Sequence, residues 1–346
     1  MVARIALVAA VPPSGEQGGA ERLFDGISEA LAANDLQVTV LKIVSDESCY
    51  ERIQESYLRF YDLDLSGFDG VISSKAPSYV IRHANHVCYL VHTMRVFYDM
   101  FEHEFQERTL QLLQQRSTVQ ALDTAALQRL PTGKRLAIGQ EVAGRLQQYN
   151  GLYARVMHPP STLAGLHQGA FRHIFMPGRL HRWKRVHLAI DAMRHVTAPV
   201  ELVIAGSGED EAALRARAGG NPSIRFTGRV SDQELAALYA ESLAVLFLPQ
   251  HEDMGLVTLE AFGAHKPVIT CHDSGEPARL VQHGESGFVC DSDPPAIAAA
   301  IDRLASDVGL AAAMGARGAQ SIAEITWQRV GRTLTAALGL GTDHAR

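Results

Sequence analysis

Glu252 and Glu260 are separated by seven residues in the run His251-Glu-Asp-Met-Gly-Leu-Val-Thr-Leu-Glu260. Gly255 lies between them and opens a helix predicted to begin near Leu256. The first amides of a helix have no intrahelical acceptor and face outward toward an anion. Glu260 falls one turn into this helix, where a carboxylate can accept two sugar hydroxyls. Glu252 stays in the loop ahead of it. Carboxylates on both sides of a helix start suit gripping the two ends of a nucleotide-sugar. The alternative is an acid that complements the helix dipole, which leaves Glu252 and the intervening glycine without a role.

Three further groups could do chemistry. Arg179 and Lys184 share one loop; a guanidinium clamps phosphate oxygens with paired hydrogen bonds and an ammonium adds a point charge. Together they suit a diphosphate, and the alternative is a solvated basic loop with Arg182 and Arg185 as its neighbours. His92 follows the predicted strand Val87–Val91, at the strand end where open parallel sheets place ligands. The bland reading is a structural histidine. Gly18 and Gly19, in Gly18-Gly-Ala-Glu-Arg22, allow close backbone approach to a ligand or make a plain tight turn. This segment is neither G-x-G-x-x-G nor a P-loop. Two D-x-D matches, Asp62/Asp64 and Asp291/Asp293, are read as solvated loops, and His83, His86 and His92 lack zinc spacing.

The elements needed to position these residues are visible as alternation. Short apolar runs at Ile5–Val11, Val38–Val44, Gly70–Ser73, Val87–Val91, Lys134–Gly139 and Ala154–His158 read as strands. Ala20–Ala33 reads as a helix with Leu23, Ile27 and Leu31 on one face. After Pro159, Pro160 and a stretch to Gly169 the pattern restarts. Strands are predicted at Ile174–Met176, Leu202–Ala205, Ile224–Phe226, Ala244–Leu248 and Val268–Cys271. Helices are predicted at Val186–Val196, Glu211–Ala216, Asp232–Tyr239 and Leu256–Ala264. Strands alternating with helices make doubly wound α/β sheets. Residues 1–160 form one Rossmann-like domain and 161–320 a second, with a closing helix at 321–340 anchored by Trp327. Met94, Phe97/Tyr98, Phe101 and Phe105 form a helical stripe read as a core-facing surface.

Composition agrees with a globular protein. The chain has 346 residues, 47% hydrophobic and 20% charged; about 150 residues per domain suggests two. The formal net charge of −6 argues against nucleic acid as a partner. Cys49, Cys88, Cys271 and Cys290 form no C-x-x-C pair and are read as reduced, which places the protein in the cytoplasm. Ile5–Val11 is read as a first strand rather than a leader, because a glycine-rich turn and a helix follow at once. No apolar run approaches the ~18 residues that span a bilayer.

In order and spacing, Gly18-Gly-Ala-Glu-Arg22, Gly178-Arg179-x4-Lys184, Gly206-Ser-Gly208 and Glu252-x7-Glu260 resemble the retaining glycosyltransferases of GT-B fold, most of all family four. The similarity is clearest from about Phe171 to Val289. His92-Thr-Met-Arg-Val-Phe-Tyr-Asp99 resembles a segment of bacterial mannosyl- and rhamnosyltransferases of surface polysaccharides. Two positions depart from the family pattern: Met254 stands where phenylalanine is common, and a Gly-Gly-x-Pro-Glu loop is replaced by Ser274-Gly-Glu-Pro-Ala-Arg279.

The resemblance implies an α/β, GT-B architecture of two doubly wound domains facing across a cleft, the first for the acceptor and the second for the donor. It implies that Arg179 and Lys184 bind the donor diphosphate and that Glu252 contacts the transferred sugar. Gly255, Leu256 and Val257 would offer backbone amides, and Glu260 would hold the ribose. Gly206, Gly208 and the turn Gly228-Arg229-Val230 would lie near the base, and Gly18 and Gly19 would approach the donor. His92 would sit beside the sugar, with Arg95 as a further contact to sugar or acceptor. No metal and no other cofactor is implied. The implied reaction moves a hexose from a nucleoside-diphosphate donor, GDP-mannose type favoured, to a hydroxyl of a glycan or lipid-linked acceptor in polysaccharide biosynthesis. The leaving phosphate would help to deprotonate that hydroxyl. A lipid-linked acceptor would bring the protein to the inner face of the membrane as a peripheral enzyme. The alternatives are an inactive nucleotide-sugar-binding scaffold of the same fold and a UDP-sugar-dependent transferase acting on a small metabolite.

Overall fold

The computed structural model describes residues 2–13 and 19–340. The chain divides into two compact units, Met1–Pro159 with Ile325–Arg346, and Pro160–Glu324.

The first unit opens with β1 (Arg4–Val11), α1 (Gly19–Ala32), β2 (Gln37–Val44), α2 (Tyr50–Tyr61), β3 (Gly70–Ser73) and β4 (His86–Leu90). It continues with α3 (Phe101–Glu104), α4 (Leu110–Gln128), β5 (Arg135–Ala137), α5 (Gln140–Asn150) and β6 (Arg155–Val156). Its sheet is parallel throughout, in the order β2-β1-β3-β4-β5-β6. Residues Ile5 to Ala10 of β1 are all fully buried, as a central strand covered on both faces must be.

The second unit runs β7 (His173–Pro177), α6 (Val186–Ala192), β8 (Leu202–Ala205), α7 (Glu211–Ala218), β9 (Ile224–Gly228), α8 (Asp232–Glu241) and β10 (Ser242–Leu246). Then come α9 (Leu256–Gly263), β11 (Val268–Cys271), α10 (Glu276–Leu280), β12 (Gly287–Cys290), α11 (Pro294–Ser306) and α12 (Val308–Ser321). The sheet order is β12-β11-β10-β7-β8-β9, again parallel. The chain order therefore reverses between β7 and β10. Loops at the carboxyl ends of the two strands flanking such a reversal splay apart and leave a crevice. One face of this sheet buries Ile174, Ile204, Leu246 and Ile301; the other buries Phe175, Val203, Val245 and Phe262. Ser231 starts α8 with a reciprocal cap, its hydroxyl accepting from the Glu234 amide while Glu234 accepts from the Ser231 amide.

After α12 the chain turns and forms α13 (Trp327–Ala337), which belongs to the first unit. A Cβ on Gly26 would lie 2.3 Å from the Trp327 ring, so the indole is seated directly on α1. The closing segment is thus the end of α12, a turn and α13, not one helix over 321–340.

The aromatic stripe is also broken. Arg95–Phe97 is a short 3-10 turn, Tyr98 leaves the helical region at φ −120° and ψ −116°, and α3 holds only four residues. Met94, Phe97, Tyr98 and Phe101 are still buried. Burial, not helical continuity, is what the apolar residues dictated there.

Candidate functional site

In the second unit, the loops after β7 and β10 bring two of the singled-out residues into contact. Lys184 Nζ donates to Glu252 Oε2 at 2.6 Å, with both side chains about a quarter exposed. The ammonium also lies 5.3 Å from the centre of the Phe247 ring. Both residues come from the loops that flank the chain reversal.

Backbone hydrogen bonds hold this pair in place. The Glu252 amide donates to Ser274 O and the Glu252 carbonyl accepts from the Glu276 amide, both at 2.9 Å. Gly275 lies between those two partners at φ +77°, and a Cβ there would fall 2.5 Å from Glu252 O. Only glycine lets the loop after β11 press so closely on Glu252. Glu276, the departure from the family pattern, is buried at this contact, and Met254, the other departure, is also buried.

Arg185, a neighbour in the solvated-loop alternative, does not fit that alternative. It is buried, and its guanidinium makes a paired bond to Asp273, 2.7 Å to each carboxylate oxygen. It also donates to Leu248 O at 2.7 Å and Pro249 O at 2.8 Å. Arg185 therefore ties the loop after β7 to the loops after β10 and β11, and these loops carry Lys184, Glu252 and Gly275. Burial is affordable because every donor direction finds an oxygen.

Arg179 is placed differently. Its side chain is mostly exposed and its Nε donates to Glu209 Oε2 at 3.3 Å. His181 approaches the other Glu209 oxygen at 3.4 Å. A hydrogen bond from its own amide, with the charges of Arg179 and His181 beyond it, holds the Glu209 carboxyl below its usual range. Gly206 and Gly208 serve this loop directly. A Cβ on Gly206 would lie 1.9 Å from Gly178 O, and one on Gly208 would lie 2.2 Å from Leu180 O. The loops after β7 and β8 are zipped by Leu180 N to Ser207 O at 3.0 Å and Asp210 N to Leu180 O at 3.1 Å.

Gly255 caps α9 at φ +72°, packed against Phe247 and Pro277. The amides of Leu256 and Val257 stand in the first turn beyond it, where helix geometry supplies no acceptor. One turn on, Glu260 Oε2 accepts from the Tyr239 hydroxyl at 2.5 Å. Tyr239 is fully buried, and burial followed by the Glu260 charge raises its pKa well above the usual phenol value. It therefore stays a donor and orients the carboxylate. Tyr239 carries no signal in the sequence that marks it for this role. Val230, after β9, packs half-buried on the core.

In the first unit, His92 follows β4 and its carbonyl accepts from Ala76 N at 3.1 Å. Arg95 is buried and donates to Asp99 at 2.7 and 3.1 Å, while Arg145 of α5 reaches the same carboxylate at 2.7 Å. The guanidinium is thus turned into the unit and braces the segment after His92. Tyr98 braces it further, donating to the fully buried Asp123 at 2.7 Å, where Tyr57 donates as well at 2.5 Å. Burial pushes the Asp123 carboxyl up to about 6 against the lowering effect of these hydroxyls. Gly19 begins α1, and Gly18 lies outside the described residues.

The two parallel six-stranded sheets with their covering helices have the GT-B architecture. Residues 166–321 match the family described as "Glycosyl transferases group 1". Over 101 residues the chain is 33% identical to the human alpha-1,3/1,6-mannosyltransferase ALG2, covering 29% of this chain and 24% of that protein. Over 128 residues it is 32% identical to the D-rhamnosyltransferase WbpZ of Pseudomonas aeruginosa, covering 36% of this chain and 33% of that one. These matches span a third or less of each relative's own length. Among solved structures, HepE of Anabaena in complex with UDP and glucose superposes with a TM-score of 0.71 at 16% identity, covering 97% of this chain and 99% of that one.

Proposed function

We propose that this chain is a retaining glycosyltransferase that moves a hexose from a nucleoside-diphosphate donor to a hydroxyl of a glycan or lipid-linked acceptor. The observation that carries this is the contact of Lys184 with Glu252 beside the glycine-capped start of α9. A departing diphosphate needs positive charge and fixed donors where its negative charge grows. Lys184, Arg179 and the amides of Leu256 and Val257 can supply them. Glu252 is poised for the sugar hydroxyls, and Glu260, oriented by Tyr239, for a ribose. Gly206 and Gly208 bring the loop backbone near enough to border a base.

On this reading His92 and Arg95 belong to the acceptor side, His92 facing the sugar and Arg95 acting through Asp99. The protein needs no metal and no cofactor, because the basic side chains and helix amides carry the charge. GDP-mannose-type donors are favoured, supported by the similarity to proteins named as mannosyl- and rhamnosyltransferases. A lipid-linked acceptor would draw the protein to the cytoplasmic membrane face; no helix among the described residues is long and apolar enough to cross a membrane.

The test is a calorimetric and thermal-shift screen of GDP, UDP, TDP and ADP with their sugars, in the presence of EDTA. A ligand that binds only the folded state raises the melting temperature according to its affinity. Stabilisation by GDP and GDP-mannose, lost in Lys184→Ala, is the expected result, followed by transfer with retained anomeric configuration seen by proton NMR. Stabilisation by no nucleotide would overturn the reading.

A further inference from the structure

The first unit has a concave site at the opposite end of β4 from His92. A cavity of 260 Å³ opens there, bordered by Arg82, His83, His86, Arg129 and Lys134. His86 is the first residue of β4 and Lys134 directly precedes β5. His92 follows the other end of β4, so the length of the strand separates the two places. No carboxylate is among the residues that line the cavity.

Among the described residues, the basic side chains lining this cavity bond to neutral oxygens. Lys134 Nζ donates to Asn85 Oδ1 at 2.7 Å and Arg129 Nη2 to Val80 O at 3.4 Å. Arg82 Nε donates to Tyr61 O at 3.2 Å, with its guanidinium 4.4 Å from the centre of the Tyr61 ring. His83 Nε2 faces Phe68 O at 3.0 Å, and His86 Nε2 faces Ser73 Oγ at 2.8 Å. Dipoles position these groups without cancelling their charge. Burial first, and then the charges of Arg129, His83 and Lys134, lower the pKa of buried His86 to about 3.

Three permanent cations around a small cavity, in a chain whose net charge is −6, are matched by a compact ligand of concentrated negative charge. A phosphomonoester carries about −1.5 to −2 at neutral pH, with three acceptor oxygens. Two guanidiniums offer paired donors and the lysine a point charge. The cavity lies just under the roughly 300–1,000 Å³ usual for organic ligands, which suits a phosphate with a small body. We propose that this cavity binds a phosphomonoester, through Arg82, Arg129 and Lys134, at a site separate from the donor site of the second unit. The proposal stands independently of the glycosyltransferase reading.

The experiment uses the full chain and a double variant, Arg129→Gln with Lys134→Gln, which spares the Arg82 stacking. Isothermal titration is run with inorganic phosphate and with glycerol 3-phosphate. Co-sedimentation is run with phosphatidylcholine vesicles with and without phosphatidic acid. Arg179→Ala serves as the control for anions entering the second unit. The expected result is binding of the soluble phosphates that survives in Arg179→Ala and weakens at least about tenfold in the double variant, the scale of a lost charged hydrogen bond. Binding only to phosphatidic acid vesicles, with the same loss in the variant, supports the site and assigns its phosphate to a lipid head group. Equal binding by the wild type and double variant, or no binding of any of these probes, overturns it. An unchanged melting temperature of the double variant excludes unfolding as the cause of a loss.

Discussion

Lys184 and Glu252 are 68 positions apart in the chain and 2.6 Å apart in space. The sequence marked each for a different task, the lysine for phosphate and the glutamate for sugar. In the folded chain they hold each other. Their contact pairs two opposite charges and holds both side chains in one geometry.

Glu252→Ala should abolish transfer and leave the fold intact. The pair is partly exposed, so its loss should change stability by no more than about 1 kcal/mol. On the proposed function, loss of this carboxylate should cost about 10²–10³ in kcat. Turnover assays beside chemical denaturation check this, and a fully active Glu252→Ala would remove the role assigned to the residue.

Gly275→Ala should reach the same site from behind. The substitution forces a Cβ to within 2.5 Å of Glu252 O at a φ of +77°, a conformation that costs a non-glycine residue of order 1–3 kcal/mol. Relief requires the Glu252 backbone to move. Activity should fall with Glu252 and Lys184 both still present. An alanine variant with normal turnover would show that the Glu252 position is not critical.

Arg185→Lys should destabilise the second unit. A lysine cannot reproduce the paired bond to Asp273 together with the bonds to Leu248 and Pro249. We expect a loss of roughly 2–3 kcal/mol, moderated because the Asp273 side chain is 40% exposed. Equilibrium denaturation measures it. Stability equal to wild type would reduce Arg185 to a surface cation.

Asp123 should make stability depend on pH. Its carboxyl titrates at about 6 when folded, against an ordinary 3.8. Its contribution is therefore fully present below 3.8 and is lost as pH rises through about 6. The total is roughly 3 kcal/mol for a shift of this size. Buried His86, lowered from 6.5 to about 3, acts in the opposite direction, losing stability as pH falls. The difference between wild type and Asp123→Asn isolates the aspartate. That difference should favour the wild type more at pH 4 than at pH 7. A difference independent of pH would mean that Asp123 ionises normally.

Much of the fold was readable because its signals are local. Alternating apolar runs located β1, β3, β8 and β11 to within a residue, since a buried parallel strand needs a short continuous apolar run. Other elements left weaker traces. α4 is long and amphipathic only in part, with Leu110 exposed and Val119 buried, so its periodicity does not mark it as a helix. The stripe from Met94 to Phe105 has helical spacing but is not one helix. There the demand to bury Tyr98 on Asp123 and to place Arg95 on Asp99 overrode local propensity.

The sequence by itself determined the alternating α/β architecture and the identities of Arg179, Lys184, Glu252 and Glu260 as a spaced set. Residue type and short-range spacing are enough for that. Only the tertiary structure decided which of them meet: Lys184 with Glu252, Arg179 with Glu209, and Glu260 with Tyr239. It also decided that Arg185, one residue beyond Lys184, is buried against Asp273 while Arg182 is exposed. The physical reason is that these pairings cross from one strand's loop to another's. Strand order brings the loops after β7, β10 and β11 together, and no feature of neighbouring residues along the chain encodes that order.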